Sequence, residues 1–183
     1  MLRTPPPTWT IPTLETPRLR LRAHTVADFP TYCTLWADSR VMQYIGGKPN
    51  TPEESWSRLL RNAGHWSLLG FGSWLIEEKS TGDLVGESGL FDYHRAIDPP
   101  LGDTPEIGWI LSPAKHGHGY ATEAVQAILN WATDLFISDE VACIIHPDND
   151  ASLRLAAKCG FTMNHPITYR ESPALVLTRR LRN

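Results

Sequence analysis

The stretch that decides the fold runs from Glu106 to Ala124 and reads EIGWILSPAKHGHGYATEA. Its first six residues are apolar almost throughout, which predicts a central strand that is covered on both faces. Ser112-Pro113 ends that strand, and a short loop that contains Gly117 and Gly119 follows. A helix is predicted over 119–136, because apolar residues recur there on one stripe at helical spacing.

The loop between this strand and this helix has the properties of an anion site. The first N–H groups of a helix have no intrahelical partner and lie at the positive end of the helix dipole. Gly117 and Gly119 lack a Cβ atom, so a phosphate can approach the backbone closely. Thr122 stands where a dinucleotide fingerprint needs its third glycine, and the chain has no G-K-[ST] phosphate loop. Taken alone, the two glycines are equally compatible with a tight strand-to-helix turn.

Outward from this unit, the chain reads as a mixed α/β domain. Residues 1–13 are rich in proline and predict an extended arm, and residues 14–183 predict a single domain. Helices are expected over 25–38, 52–69 and 149–159, in addition to the one over 119–136. Besides the strand over 106–111, strands are expected over 18–24, 72–78, 83–92, 141–146, 161–169 and 174–180.

Composition limits the class of protein. The chain has 183 residues, 42% of them hydrophobic and 20% charged, which excludes a wholly disordered chain. The net charge of -3 argues against a nucleic-acid partner, and no apolar run approaches the ~20 residues of a membrane span. The first residues lack the pattern of a secretory signal, and three widely spaced cysteines fit a reducing compartment. We therefore expect a cytoplasmic protein without a membrane partner.

A second motif follows one helix and one strand downstream of the glycine loop. Residues 146–152 read HPDNDAS, and residues 158–161 read KCGF. Together with the His116-Gly117-His118-Gly119-Tyr120-Ala121 run, this pattern resembles the GNAT family of N-acetyltransferases. It is most similar to the branch that includes the ribosomal-protein alanine acetyltransferases. The resemblance covers roughly residues 13–180, and the two motifs at this separation are quite specific.

The resemblance implies a fold and a co-substrate. The expected fold is a mostly antiparallel mixed sheet of about six to seven strands, flanked by about four helices and splayed between the two central strands. The expected co-substrate is acetyl-CoA, with its pantetheine arm along the central strand and its pyrophosphate on the amides of the glycine loop. The cofactor-binding residues that the resemblance implies are Trp109, Ile110, Leu111, His116, Gly117, His118, Gly119, Tyr120, Ala121, Thr122, Asn149 and Ser152.

The sequence indicates candidates for the residues that transfer protons during catalysis. Transfer to an amine needs a proton acceptor, because a free lysine-type amine has a pKa near about 10.4. Glu106, at the head of the central strand, is the candidate for that base, and its alternative is an ordinary strand-end acid. Glu87 is the second candidate, with an outward-facing acid as its alternative, and water is the third. Many family members place a tyrosine acid seven residues after the asparagine, where this chain has Ala156. In this branch the resemblance implies that Ser152 takes over the role of the acid and protonates the departing CoA thiolate. A serine at this position is also explained by capping of the helix.

The expected function is N-acetyl transfer from acetyl-CoA to a primary amine, either a protein N-terminus or a small amine. One alternative is a CoA-binding module of the same fold without turnover, since His116 and Ala156 depart from the family pattern. A remote alternative is a metal-dependent hydrolase that uses His116 and His118, but two imidazoles are too few ligands for a site, so no metal is expected. An exposed closing strand is a surface through which two copies can pair as a homodimer.

Overall fold

The computed structural model describes residues 10–133, 135–136 and 138–182. Its centre is an eight-stranded sheet in the order β1-β2-β3-β4-β5-β6-β8-β7. Neighbouring strands are antiparallel except for β5 and β6, which run parallel. The strands are β1 (Leu14–Glu15), β2 (Leu19–Arg22), β3 (Ser73–Glu78), β4 (Leu84–Phe91), β5 (Glu106–Leu111), β6 (Glu140–Ile145), β7 (Thr162–Tyr169) and β8 (Ser172–Arg180).

Five α-helices cover the sheet within the described residues: α1 (Phe29–Trp36), α2 (Ser39–Met42), α3 (Pro52–Leu69), α4 (Tyr120–Ala132) and α5 (Asp150–Lys158). The start of α3 shows how local sequence sets a boundary. Thr51 accepts from the Glu54 amide, the Glu54 carboxylate accepts from the Thr51 amide, and Pro52 fills the first helical position. The helix ends at Gly70, whose φ of +75° is a conformation that favours glycine.

The architecture confirms the predicted mixed α/β class but has slightly more elements than expected. The additional strand, β1, is only two residues long, too short to show any alternation in the sequence. The predicted helix over 25–38 is a 3₁₀ turn followed by α1, and α2 adds a fifth helix. Of the predicted arm, residues 1–9 lie outside the described part of the chain. Pro12 is described, and its carbonyl oxygen accepts from Trp74 Nε1 at 2.7 Å.

The helix predicted over 119–136 is shorter than expected. It ends at Ala132, and the Thr133 hydroxyl donates back to the Leu129 carbonyl oxygen at 3.1 Å. Phe136 then packs edge-to-face on Phe71, with the ring centroids 4.9 Å apart, and is fully buried. The apolar stripe therefore continues past the helix because Phe136 belongs to the core, although its backbone is not helical.

Helices cover both faces of the sheet. On one face, α4 packs Ala124, Val125 and Ile128 against the strands in the largest core cluster. On the other face, α1, α2 and α3 form a second cluster, whose members are Tyr32, Trp36, Met42 and Leu59, with Ile110 of β5 packed against it. Burying a side chain of this size contributes about 2–3 kcal/mol to stability. No helix in the described part of the chain is both long and apolar enough to cross a bilayer.

Candidate active site

The sheet opens between its two central strands. β5 and β6 pair at one register position, Glu106 with Ala142, and the Ala142 amide donates to the Pro105 carbonyl at 3.0 Å. Beyond that point β5 pairs with no strand other than β4, so its other edge has no strand partner within the described residues; the Leu111 carbonyl on that edge is approached by the His116 ring. Trp109, in the middle of this central strand, is only partly buried. The predicted splay between the two central strands is therefore present, and we call this opening the cleft.

The directions of the backbone N–H and C=O groups along β5 determine which residues face the cleft. The Ser112 amide donates to the Val85 carbonyl on the β4 side at 2.8 Å. Because N–H and C=O directions alternate along a strand, Trp109 and Leu111 direct their backbone groups into the cleft and Ile110 directs its own toward β4. Of the three residues predicted to hold a pantetheine arm, Trp109 and Leu111 thus have suitable geometry. The backbone of Ile110 is committed to its pairing with Glu87.

The glycine loop follows directly from this strand. Gly117 and Gly119 have φ of +80° and +79°, so both use the left-handed conformation that disfavours side chains. The first α-helical bond of α4 runs from the Glu123 amide to the Gly119 carbonyl. No amide from Gly117 to Thr122 has an acceptor within the part of the chain that the structure describes. The loop thus presents a row of free N–H donors at the positive end of a 13-residue helix.

Two of the predicted loop residues, His116 and His118, direct their side chains at neighbouring groups of the protein. His116 Nε2 lies 3.2 Å from the Leu111 carbonyl oxygen, so its ring folds back onto β5. The His118 ring stacks on Tyr120, with the centroids 5.5 Å apart. Within the described residues, no group of three or more His, Cys, Asp or Glu side chains is placed to hold a metal ion.

Side chains from the β3–β4 hairpin anchor one end of the loop. Lys115 Nζ donates to Glu78 at 2.7 Å and to Asp83 at 2.9 Å, and the Tyr120 hydroxyl donates to Glu78 at 2.6 Å. Lys115 and then Tyr120 lower the pKa of the Glu78 carboxyl to about 2. The charge of Lys115 is therefore neutralised by its own partners, and the lysine acts as an anchor for the loop.

Arg18 anchors the other end of the loop. Its Nη1 donates to the His118 carbonyl oxygen at 2.8 Å, and its Nε donates to Glu123 at 2.7 Å. Glu123 also accepts from the Thr16 hydroxyl at 2.6 Å, so the β1–β2 turn, the loop and the first turn of α4 are tied together. No local sequence pattern marks Arg18, Glu78 or Glu123 for this role, because their partners are distant in sequence.

The start of α5 forms the opposite side of the cleft. Asn149 Oδ1 accepts from the Ser152 amide at 3.1 Å and caps the helix, which leaves its Nδ2 group free among the described residues. The Ser152 hydroxyl accepts from Trp109 Nε1 at 3.1 Å, across the cleft. Its own proton remains available for donation. Ala156, where many family members have a tyrosine, is fully buried in the core.

The two candidate bases have different surroundings. Glu106 is buried, and both its oxygens accept from Arg95, with Nη2 to Oε1 at 2.7 Å. Glu87 on β4 is also buried, and three donors converge on its Oε2: His24 Nε2 at 3.0 Å, the Tyr32 hydroxyl at 3.0 Å and Asn62 Nδ2 at 2.9 Å. Its Oε1 has no hydrogen-bond partner in the described part of the chain.

Comparison with known proteins identifies the family. Residues 18–162 match the family model described as "Acetyltransferase (GNAT) domain", so this chain belongs to the GNAT acetyltransferase family and is by class an acyltransferase. An uncharacterised Bacillus subtilis protein, YkkB, is 30% identical over 172 residues, covering 93% of this chain and 96% of its own length. An Agrobacterium tumefaciens acetyltransferase structure is 30% identical with a TM-score of 0.78, covering 97% of this chain and 99% of its own.

Other solved structures share the fold. A GNAT-family acetyltransferase structure from Bordetella pertussis has a TM-score of 0.80 at 28% identity and covers 92% of this chain and 99% of its own. At 18% identity, RimL, a ribosomal alpha-N-protein acetyltransferase in complex with coenzyme A, has a TM-score of 0.74 over 92% of this chain and 98% of its own. A spermidine N-acetyltransferase from Vibrio cholerae, also with CoA, has a TM-score of 0.71 at 18% identity, over 91% of this chain and 97% of its own. These two distant likenesses concern the fold alone.

Proposed function

We propose that the protein transfers an acetyl group from acetyl-CoA to a primary amine. One observation carries this proposal: the unpaired edge of β5 leads directly into the free amides from Gly117 to Thr122. An extended amide-containing arm that ends in a pyrophosphate matches those two donor sets in that order. Acetyl-CoA supplies the acetyl group as a reactive thioester next to the strand.

Each part of the cleft has a role in holding this co-substrate. The backbones of Trp109 and Leu111 pair with the amides of the pantetheine arm, as a neighbouring strand would. Free loop amides bind the pyrophosphate, and the absence of any atom within 4 Å of a Cβ built on Gly117 leaves room for it. The Asn149 Nδ2 group is a further donor on the α5 side of the cleft.

Glu87 is the proton acceptor that the geometry favours. A general base needs a lone pair that is free to face the incoming amine. Arg95 occupies both oxygens of Glu106, whereas Glu87 retains Oε1. The donors on Oε2 fix the carboxylate in place, so it accepts the amine proton directly or through one water molecule.

Ser152 is the proposed proton donor to the departing thiolate. Its hydroxyl is held by Trp109 at the edge of the cleft, and the bond from the indole leaves the hydroxyl proton free. The buried Ala156 offers no acid in its place.

The test of this function measures binding and turnover separately. Isothermal titration of the full chain with CoA measures the affinity of the cleft, and release of free thiol from acetyl-CoA measures transfer to a panel of amines. Saturable CoA binding together with amine-dependent thiol release supports the proposal. Tight CoA binding without thiol release across the panel would instead support a CoA-binding module without turnover.

Two further expectations belong to the proposed function. We propose a cytoplasmic location, where acetyl-CoA and reduced cysteines coexist. A homodimer through the closing strands also remains a prediction. The outer strand of the sheet, β7, contains Pro166 and a register shift near Met163, and both features weaken edge-to-edge strand pairing. Light scattering in solution would determine the oligomeric state.

A further inference from the structure

Arg58 on α3 has no partner that matches its charge. Just over half of the arginines in the described part of the chain form an ion pair with a carboxylate; examples are Arg18, Arg22 and Arg95. The Arg58 guanidinium makes no hydrogen bond or ion pair with any described residue, and its Nε atom is buried. Burial lowers the pKa of the Arg58 side chain from its ordinary value. A buried donor without an acceptor is costly, so this position points to an acceptor that comes from a ligand.

The surroundings of Arg58 present its donors in a fixed plane. The guanidinium carbon lies 3.6 Å from the centroid of the Trp36 ring, and Trp36 itself is buried. Stacking on an indole holds the guanidinium by its face and leaves the N–H groups at its edge available. Two parallel N–H groups at that edge match the two oxygens of a carboxylate.

A second cation stands one turn further along α3. Arg61 is exposed, lies 5.6 Å from the Tyr93 ring centroid and likewise has no acidic partner among the described residues. On the preceding turns, Glu54 is committed to the helix cap at Thr51, and Glu53 is an exposed first-turn residue. Glu53 and Glu54 line the same groove as Arg58 and Arg61, but neither arginine forms an ion pair within the described residues. We call the two arginines the positive wall.

This wall lies beside the proposed base. Glu87 pairs in register with Ile110 of β5, and Ile110 packs against the cluster that contains Trp36. The charge of Glu87 acts on Arg58, although the two groups form no ion pair. Glu87 and Arg58 therefore lie on the same side of the sheet, and a substrate bound at Glu87 experiences the charge of Arg58.

Resting on the acetyl transfer proposed above, we propose that the acceptor is an amine that also carries a carboxylate, and that Arg58 binds this carboxylate with Arg61 in support. The arrangement selects against polycationic acceptors such as polyamines, because their second charge would face two arginines. The carboxylate belongs either to a free amino acid or to an acidic residue near the N-terminus of a peptide.

The first experiment does not depend on turnover. In the presence of saturating CoA, thermal shift and titration compare N-acetylphenylalanine with N-acetylphenylalaninamide, which differ in the carboxylate alone. We expect the acid to bind at least tenfold more tightly than the amide. Equal affinity of the two compounds would overturn the inference, while failure of CoA itself to bind would contradict the proposed function instead.

The second experiment assigns the preference to the two arginines. We expect Arg58→Gln to reduce the acid-to-amide preference at least tenfold and Arg61→Gln to reduce it severalfold, with the affinity for CoA unchanged. Arg61 is exposed, so its variant is informative even where Arg58→Gln impairs folding. Arg154→Gln, an exposed position on α5, is the matched control and should keep the full preference. A preference that survives both α3 substitutions would overturn the inference.

The third experiment distinguishes the sources of the carboxylate. Thiol release is measured with phenylalanine and phenylalaninamide, with a tripeptide that begins Asp-Ala and its Asn-Ala counterpart, and with spermidine. Preference for phenylalanine over its amide supports a free amino acid, and preference for the Asp-Ala peptide supports a peptide acceptor. Spermidine as the best acceptor in this panel would overturn the inference.

Discussion

Glu87 and Glu106 lie on adjacent strands and on the same face of the sheet, but their carboxylates are held differently. Arg95 binds Glu106 through both oxygens, and the pair anchors the loop after β4 to the start of β5. Glu87 receives neutral or imidazole donors on one oxygen and keeps the other. At the residue scale, the two acids are equally buried, so the arrangement of their partners is what leads us to propose Glu87 as the base in preference to Glu106.

Replacement of Glu87 tests its role as a base. Glu87→Gln keeps an oxygen for the existing donors but cannot take a proton, so we expect kcat to fall about 100-fold at pH 7. A base is needed only while the amine is protonated. The difference in kcat between variant and parent should therefore become smaller as pH rises toward the amine pKa, about 8 for an α-amino group. A pH–rate profile of variant and parent measures this.

Glu106→Gln is the matched control for that experiment. It leaves Arg95 with only one carbonyl acceptor in a mostly buried site, so we expect a loss of about 3 kcal/mol in the free energy of unfolding. The dependence of kcat on pH should follow that of the parent. A pH-dependent deficit in Glu106→Gln, with none in Glu87→Gln, would reverse the two assignments.

Replacement of Ser152 tests the proton donor. Ser152→Ala removes the hydroxyl that accepts from Trp109, which costs about 1 kcal/mol of stability. We expect kcat, measured by thiol release, to fall about tenfold, which is a larger effect than any loss of CoA affinity measured by titration. Ser152→Thr keeps a hydroxyl and should restore part of the rate. Full activity of Ser152→Ala would assign the proton to water.

At the scale of elements, the site depends on how β5, the glycine loop and α4 are held together. The β3–β4 hairpin contributes Glu78 and Asp83 to Lys115, and the β1–β2 turn contributes Arg18 to the far end of the loop. The free amides keep a fixed direction because both ends of the loop are tied to the sheet. An anion therefore finds the donors already oriented, which reduces the entropy lost on binding.

A pair of glycine substitutions separates loop function from backbone strain. Gly117 and Gly82 have φ of +80° and +75°, and a Cβ on either would meet no atom within 4 Å. Replacement by alanine should cost each about 1 kcal/mol of stability. Of the two variants, only Gly117→Ala should weaken CoA binding, by at least tenfold in titration. The Cβ of the new alanine would lie where the pyrophosphate is proposed to approach. Equal CoA affinity of the two variants would contradict the loop assignment.

At the scale of the whole molecule, carboxylates in ion pairs connect distant parts of the chain. Glu78 joins the hairpin to α4 through Lys115 and Tyr120. Asp28 accepts from Arg22, which also donates to Glu77 on β3. Burial raises the pKa of Asp28, but the bonds from Arg22 and Thr25 outweigh it and hold the pKa at about 2. Both carboxylates therefore titrate below their ordinary range.

These lowered pKa values predict loss of stability in acid. A carboxyl whose pKa is lower in the folded state stabilises the fold above its unfolded pKa, and this contribution disappears as pH falls toward the folded value. For Glu78 the window runs from about 4.5 to about 2, and for Asp28 it runs from about 3.8 to about 2. The urea concentration at the midpoint of unfolding should stay constant between pH 7 and pH 5 and should decrease below pH 5. Asp28→Asn should show a shallower decline, and a midpoint that rises on acidification would refute this account.

Short-range patterns in the chain predict the parts of this protein that depend on neighbouring residues. The strand at Glu106 to Leu111, the glycine loop and the start of the next helix follow from apolar runs, a break at Ser112-Pro113 and φ values that favour glycine. The capped start of α5 at Asn149 follows from local hydrogen bonding in the same way. These patterns, with their resemblance to a family, were enough to predict the mixed fold, and acetyl-CoA as the co-substrate stays a proposal.

The tertiary structure alone decided which distant groups meet. Arg95 and Glu106 are bound because a loop returns to the sheet, and Glu87 meets His24, Tyr32 and Asn62 because α1 and α3 cover the same face. Arg58 and Arg61 are three residues apart, a spacing that places both on one side of a helix. This spacing does not indicate whether either arginine has an acidic partner. Side-chain pairing is set by packing between elements far apart in the chain, which short-range patterns do not encode.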